Sequence, residues 1–230
     1  MRAPKRSNRR LHLGWWYFAG LGAAFMLVEV ALIQKSAMLL PMPTVAAAIV
    51  IGSLLIGGAM GSLAASRVPL AASARRLPLY LALAGAMAMA YLLAFAPLSR
   101  AMQAVSDAVL PFPLGLAFLP LGFVMGIPFP TGLRLLKTLD PERVAAVWAV
   151  NGAFSVVGSV LAMALAMTAG FTAVILTGAL LYGAIAWVTF ASGRAGNLLR
   201  AIGQQTIQAG GSHAHEHDPS HEMKKGERLA

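Results

Sequence analysis

Glu29 is the only acidic residue inside any long apolar stretch of this sequence. It sits near the middle of a stretch running from about Trp15 to Leu39. At that depth in a bilayer a carboxylate costs several kcal/mol to bury, so it must carry a proton or meet a partner. Its own helix offers none, because the residues three and four positions away are Phe25, Met26, Leu32 and Ile33. Partners must come from other helices, and Asn151, Ser155 and Ser53 are the candidates. The simpler role for such a group is an interhelical hydrogen bond. The alternative is a polar midplane site, built from these four residues, that couples to a proton or binds a small cation.

The second cluster with chemical capacity lies in the tail, where His213, His215, His217 and His221 follow Gly210-Gly211-Ser212. Imidazoles suit divalent transition metals. No periodicity holds these four in a fixed geometry, so a disordered tail is expected rather than a metal site. The chain has no cysteine, which excludes disulfides and thiolate-held zinc or iron–sulfur centres. It also lacks a glycine-rich nucleotide fingerprint and a nucleophile elbow, so no cofactor and no catalytic residue is expected.

The elements that must position these groups are legible in the hydropathy. Of 230 residues, 58% are hydrophobic and 11% charged, against roughly a quarter charged in soluble domains. Six apolar spans can be drawn: Trp15 to Leu39, Thr44 to Ala65, Leu77 to Leu98, Phe112 to Leu136, Val144 to Ala169 and Phe171 to Ala191. Each approaches or exceeds the ~20 residues that cross a ~30 Å hydrocarbon core as a helix. Strict alternation over ~10 residues, the mark of a barrel strand, is missing. The first span is too long for a signal peptide and has no Ala-x-Ala site, so it is expected to remain as a helix. The expected organisation is a basic cytoplasmic N-terminus (1–14), an all-α six-helix membrane domain (15–192) and a cytoplasmic C-terminal segment (193–230), in which a helix end to about 208 precedes the disordered His-rich tail.

Charge sets the orientation. Of eighteen Lys and Arg residues, only Lys35 and Arg100 fall on one side of the spans and the other sixteen on the opposite side. The positive-inside rule then places both termini in the cytoplasm, with the chain in a bacterial inner membrane. The net charge of +10 is accounted for in this way, and no basic stripe with interleaved aromatics suggests nucleic acid. Trp15, Trp16 and Tyr17 are expected to form an aromatic belt at the cytoplasmic surface.

Small residues repeating every four positions predict the packing faces. They are Ser53, Gly57, Gly61 and Ala65 in span two, Ala82, Ala86 and Ala90 in span three, and Asn151, Ser155 and Ser159 in span five. Span four carries Pro111, Pro113, Pro120, Pro128 and Pro130 among several glycines, so it must be kinked or interrupted. A broken helix at membrane depth must be buried in protein or line a wet cavity, as in transporter sites.

Three stretches carry a resemblance: Tyr17–Gln34, Gly126–Leu136 and Ala149–Phe171. Their pattern elements are Phe25-Met26-x-x-Glu29, then Pro128-Phe129-Pro130 with Gly132, and Asn151-Gly152. Together they resemble the membrane-embedded segment of bacterial spermidine synthase-like integral membrane proteins, over most of residues 15–191. In that family the segment follows a soluble aminopropyltransferase-type domain, and a Gly-His-Pro-like turn stands where this chain has Pro41-Met42-Pro43. The aminopropyltransferase domain is not among these residues. The resemblance therefore implies a membrane scaffold that docks a soluble aminopropyltransferase-like partner, rather than an enzyme acting alone. The alternative is a transporter-like protein for a small solute, a polyamine or cation, with spans one to three and four to six as its halves.

Overall fold

The computed structural model describes residues 6–102, 106 and 109–191, the side chains of 6–13 and 102 excepted. The tail histidines and the basic residues beyond 192 lie outside the described residues. All regular structure described is helical: α1 (Arg6–Ala37), α2 (Pro43–Arg67), α3 (Leu70–Met102), α4 (Pro111–Met125), α5 (Pro128–Leu139), a 3-10 turn (Pro141–Arg143) and α6 (Val144–Ala191). Proline opens four of these segments, at Pro43, Pro111, Pro128 and Pro141. A first-turn amide has no intrahelical acceptor, so its loss there is harmless and the fixed φ favours the helix. Among the described residues, five helical stretches are long and apolar enough to cross a membrane: Gly14–Ala37, Pro43–Arg67, Leu70–Ala101, Pro111–Leu139 and Pro141–Ala191.

The last stretch is not one rod. Gly170 has φ 79° and ψ 165°, a conformation open essentially only to glycine, and it divides α6 into arms 144–169 and 171–191. Both arms pack on α1, in opposite directions. Along the first arm, Asn151 meets Phe18 and Gly22, and Gly158 meets Ala23. Along the second, Gly178 meets Ala24, Leu27 and Val28, while Ile185 meets Gly20. The contacts climb α1 in one arm and descend it in the other, so the chain reverses at Gly170.

The core therefore centres on α1, with Ala24, Val28 and Ala31 wholly buried and Leu32 nearly so. A second seam joins α2 to α4, where Ser53, Gly57, Gly61 and Ala65 are all buried as their spacing predicts. The two backbones nearly touch: a Cβ on Gly122 would lie 2.8 Å from Leu54 Cα, and one on Gly57 would strike the Leu119 carbonyl. Lipid tails compete for apolar surface as well as any side chain does, so close backbone approach is what associates such helices.

Two expectations fail here. Ala82, Ala86 and Ala90 of α3 are exposed, and the buried face is Leu81, Ala84, Gly85 and Ala88. Alanine occurs nearly all round this helix, so alanine spacing could not select a face. Gly85 does so, because a Cβ there would lie 2.8 Å from the Ala179 carbonyl. Ser159 likewise turns back to its own helix, donating to Val156 O at 2.8 Å, and Gly158 takes the packing position.

The interruption in span four is real and falls between α4 and α5. Pro128 and Pro130 have no amide to donate, so the carbonyls of Val124 and Gly126 lose their usual donors. The amide of Ile127 donates instead to Val124 O at 3.3 Å, a tighter turn that separates the two helices. Within α4, Pro120 removes the donor for the Leu116 carbonyl, and the Tyr91 hydroxyl of α3 donates to the neighbouring carbonyl of Ala117. Protein contacts thus cover the irregular backbone, as membrane depth requires.

Candidate functional site

Glu29 projects from the central helix and is buried, with 8% of its surface exposed. No hydrogen bond or ion pair ties its carboxyl to another group among the described residues. A second buried group with a polar atom lies midway along the second arm of α6, at Tyr182. Tyr182 is wholly buried, and its hydroxyl has no hydrogen-bond partner. Such an orphan hydroxyl costs about 1–3 kcal/mol, so its retention where phenylalanine would pack calls for a reason. Room for the ring comes from Gly85 of α3, where an added Cβ would lie 3.3 Å from Tyr182 Cβ.

The belt expected from Trp15, Trp16 and Tyr17 is only partly present. Trp16 is 65% exposed, whereas Tyr17 turns inward and donates to Pro128 O at 2.8 Å. Its ring covers Gly132, where a Cβ would lie 2.7 Å from the ring edge. Phe18, Phe129 and Trp148 continue this contact as edge-to-face pairs, an arrangement favoured by the ring quadrupoles. Pro128 and Gly132 thereby belong to a joint between α1 and α5, and Pro130 lies between them in the chain. Gly152 does not share in it, since nothing lies within 4 Å of a Cβ placed there.

Asn151 and Ser155 lie apart from Glu29. Asn151 donates to Phe18 O at 2.9 Å and accepts at its own carbonyl from the Ser155 hydroxyl, also at 2.9 Å. Both therefore sit near Gly22, about two helical turns from Glu29 along α1. Ser53 belongs to the α2–α4 seam, where its hydroxyl would lie 3.1 Å from a Cβ on Gly115. It lines an open groove of about 390 Å³ with Ile49, Pro111, Phe112, Gly115 and Leu116. The structure brings Asn151 to Ser155, and among the described residues no hydrogen bond joins either of these or Ser53 to Glu29. Tyr182 is the residue that spacing missed. Its signal was available in its position: a tyrosine at mid-span, away from the interfacial belts where the residue is usual.

The charged groups divide between the two ends of the bundle. At one end Arg134 donates to Ala65 O at 2.7 Å and to Val68 O at 3.4 Å, closing the C-terminus of α2. A cation there suits the unpaired carbonyls and the helix dipole. Exposed Arg67, Arg75, Arg76 and Lys137 lie at or near the same end, and Arg143 pairs with Asp140 at 2.6 Å. At the other end Lys35 Nζ stands 4.6 Å from the centroid of the Phe95 ring.

No protein-family model, curated protein or solved structure matches the chain.

Proposed function

We propose that the chain is a six-crossing membrane module with both termini on the cytoplasmic side of a bacterial inner membrane, and that it serves as a rigid scaffold docking a soluble partner. The six crossings rest on the reversal at Gly170. A helix of 48 residues would run about 72 Å, more than twice the hydrocarbon core, while either arm matches it. The orientation rests on the basic residues, which the positive-inside rule assigns to the cytoplasm.

The scaffold reading is carried by how the two halves interlock. α1 packs on both arms of α6, α2 on α4, and α3 on α4, α5 and α6. Rocking spans one to three against spans four to six would separate backbones that touch at Gly57, Gly61, Gly122 and Gly126. That supports a fixed platform over a transporter built from two moving halves. The docking surface is the basic end, where Arg75, Arg76 and Lys137 are exposed. The resemblance to spermidine synthase-like membrane segments supplies the partner class, a soluble aminopropyltransferase-like protein.

Extraction in a mild detergent should co-purify that partner, and reversing charge at Arg75, Arg76 and Lys137 should release it. Repeated isolation of the module alone, or undiminished capture by the charge-reversed protein, would contradict the docking role. The second reading, uptake or efflux of a polyamine or cation, draws on the burial of Glu29. It predicts that Glu29→Gln abolishes flux in vesicles at unchanged expression, and unchanged flux would remove it.

A further inference from the structure

We propose that the groove between α2 and α4 binds an uncharged, hydroxyl-bearing lipid, whose apolar chain lies in the groove and whose hydroxyl pairs with that of Ser53. Ser53 is buried, with 8% of its surface exposed, yet no hydrogen bond among the described residues holds its hydroxyl. Serines elsewhere in the bundle bond back to their own helix, Ser155 to Asn151 O and Ser159 to Val156 O. The unpaired hydroxyls of Ser36, Ser73 and Tyr182 are sealed inside the protein. Ser53 instead stands in the wall of an open groove, facing Gly115. The bilayer core has no water to satisfy such a group, so leaving it unpaired costs stability.

The groove has room for a chain. Glycine at 52 on α2 and at 115 on α4 leaves the space, and a Cβ on Gly52 would meet nothing within 4 Å. Ile49, Ile56, Phe112 and Leu116 supply an apolar lining. The volume of about 390 Å³ lies within the ~300–1,000 Å³ of small-molecule sites.

Depth and chemistry select the occupant. Ser53 lies ten residues along α2 from Pro43, about 15 Å, or half of the ~30 Å hydrocarbon core. A water there would need about two to four polar partners in a lining that is mostly apolar. A charged group would stand alone, because no charged residue is among the described lining residues. A phospholipid tail would fill the space but bring no hydrogen-bonding group to mid-membrane. Leu116 adds a carbonyl that Pro120 deprives of its helical donor. The chemistry that fits is an apolar chain with one hydroxyl, a group that accepts from Ser53 and donates in turn. The site requires neither a docked protein nor transport.

Photolabelling in phosphatidylcholine nanodiscs tests this, with a diazirine-bearing ten-carbon primary alcohol as the probe. Labelling should saturate, fall on residues 48–56 and 111–119, and be displaced by 1-decanol but not by decane. Ser53→Ala should weaken the labelling affinity about fivefold, the effect of one neutral hydrogen bond. Gly52→Leu, whose side chain has room to enter the groove, should abolish it. Labelling that never saturates and spreads over all the bilayer-facing helices would mean bulk lipid only and would overturn the proposal. Equal displacement by decane, an unchanged affinity in Ser53→Ala, or full labelling of Gly52→Leu would do the same. Loss of labelling when each nanodisc holds two copies instead of one would assign the groove to a second copy of the chain, against the proposal.

Discussion

At the scale of single residues, the joint at the basic end shows how one side chain fixes a helix break. Tyr17 gives its hydroxyl to Pro128 O and its ring to the bare backbone of Gly132. Tyr17→Phe should cost about 1 kcal/mol, the net worth of one hydrogen bond. Gly132→Ala should cost more, about 1–3 kcal/mol, because its methyl enters space the ring occupies. Thermal unfolding in one detergent would rank them, and equal stability of Gly132→Ala and wild type would refute the contact. Local spacing showed Glu29 as the anomalous charge, since one sequence suffices to see an acid in an apolar run. It could not show Tyr17 reaching Pro128 or Asn151 reaching Phe18, which lie 111 and 133 positions apart. Spacing along one helix carries no information about which face of another helix it will meet.

At the scale of elements, glycine and proline made most boundaries legible. The division of α6 at Gly170 coincides with the border drawn between spans five and six, since the apolar pattern leaves no room for one helix of that length. Gly170→Ala places a Cβ in a conformation costing about 1–3 kcal/mol, and should destabilise the protein by that amount. Gly152→Ala, in open space within a helix, should leave stability unchanged or slightly raised, and provides the control. Equal melting temperatures for the two variants would argue against the hairpin. The separation of α5 was only half visible. Proline content predicted a break in span four, but the break point depends on Ile127 pairing with Val124 and on Tyr17 covering the turn beyond it. The face of α3 was not visible at all, because alanines surround it and only the approach of the second arm at Gly85 selects one side.

At the scale of the whole molecule, an interlocked bundle with most of its described basic side chains at one end is what the proposed scaffold role requires. That role needs the basic end exposed to the cytoplasm. It depends on the number of crossings. The sequence contains no cysteine, so single cysteines can be introduced without background. The decisive measurement is labelling of intact cells with a membrane-impermeant maleimide, using Lys35→Cys, Arg75→Cys, Thr168→Cys and Ser192→Cys one at a time. Six crossings with cytoplasmic termini predict labelling from outside at positions 35 and 168, and at positions 75 and 192 only after the membrane is opened. Labelling of position 192 in intact cells, or protection of position 168, would contradict the account.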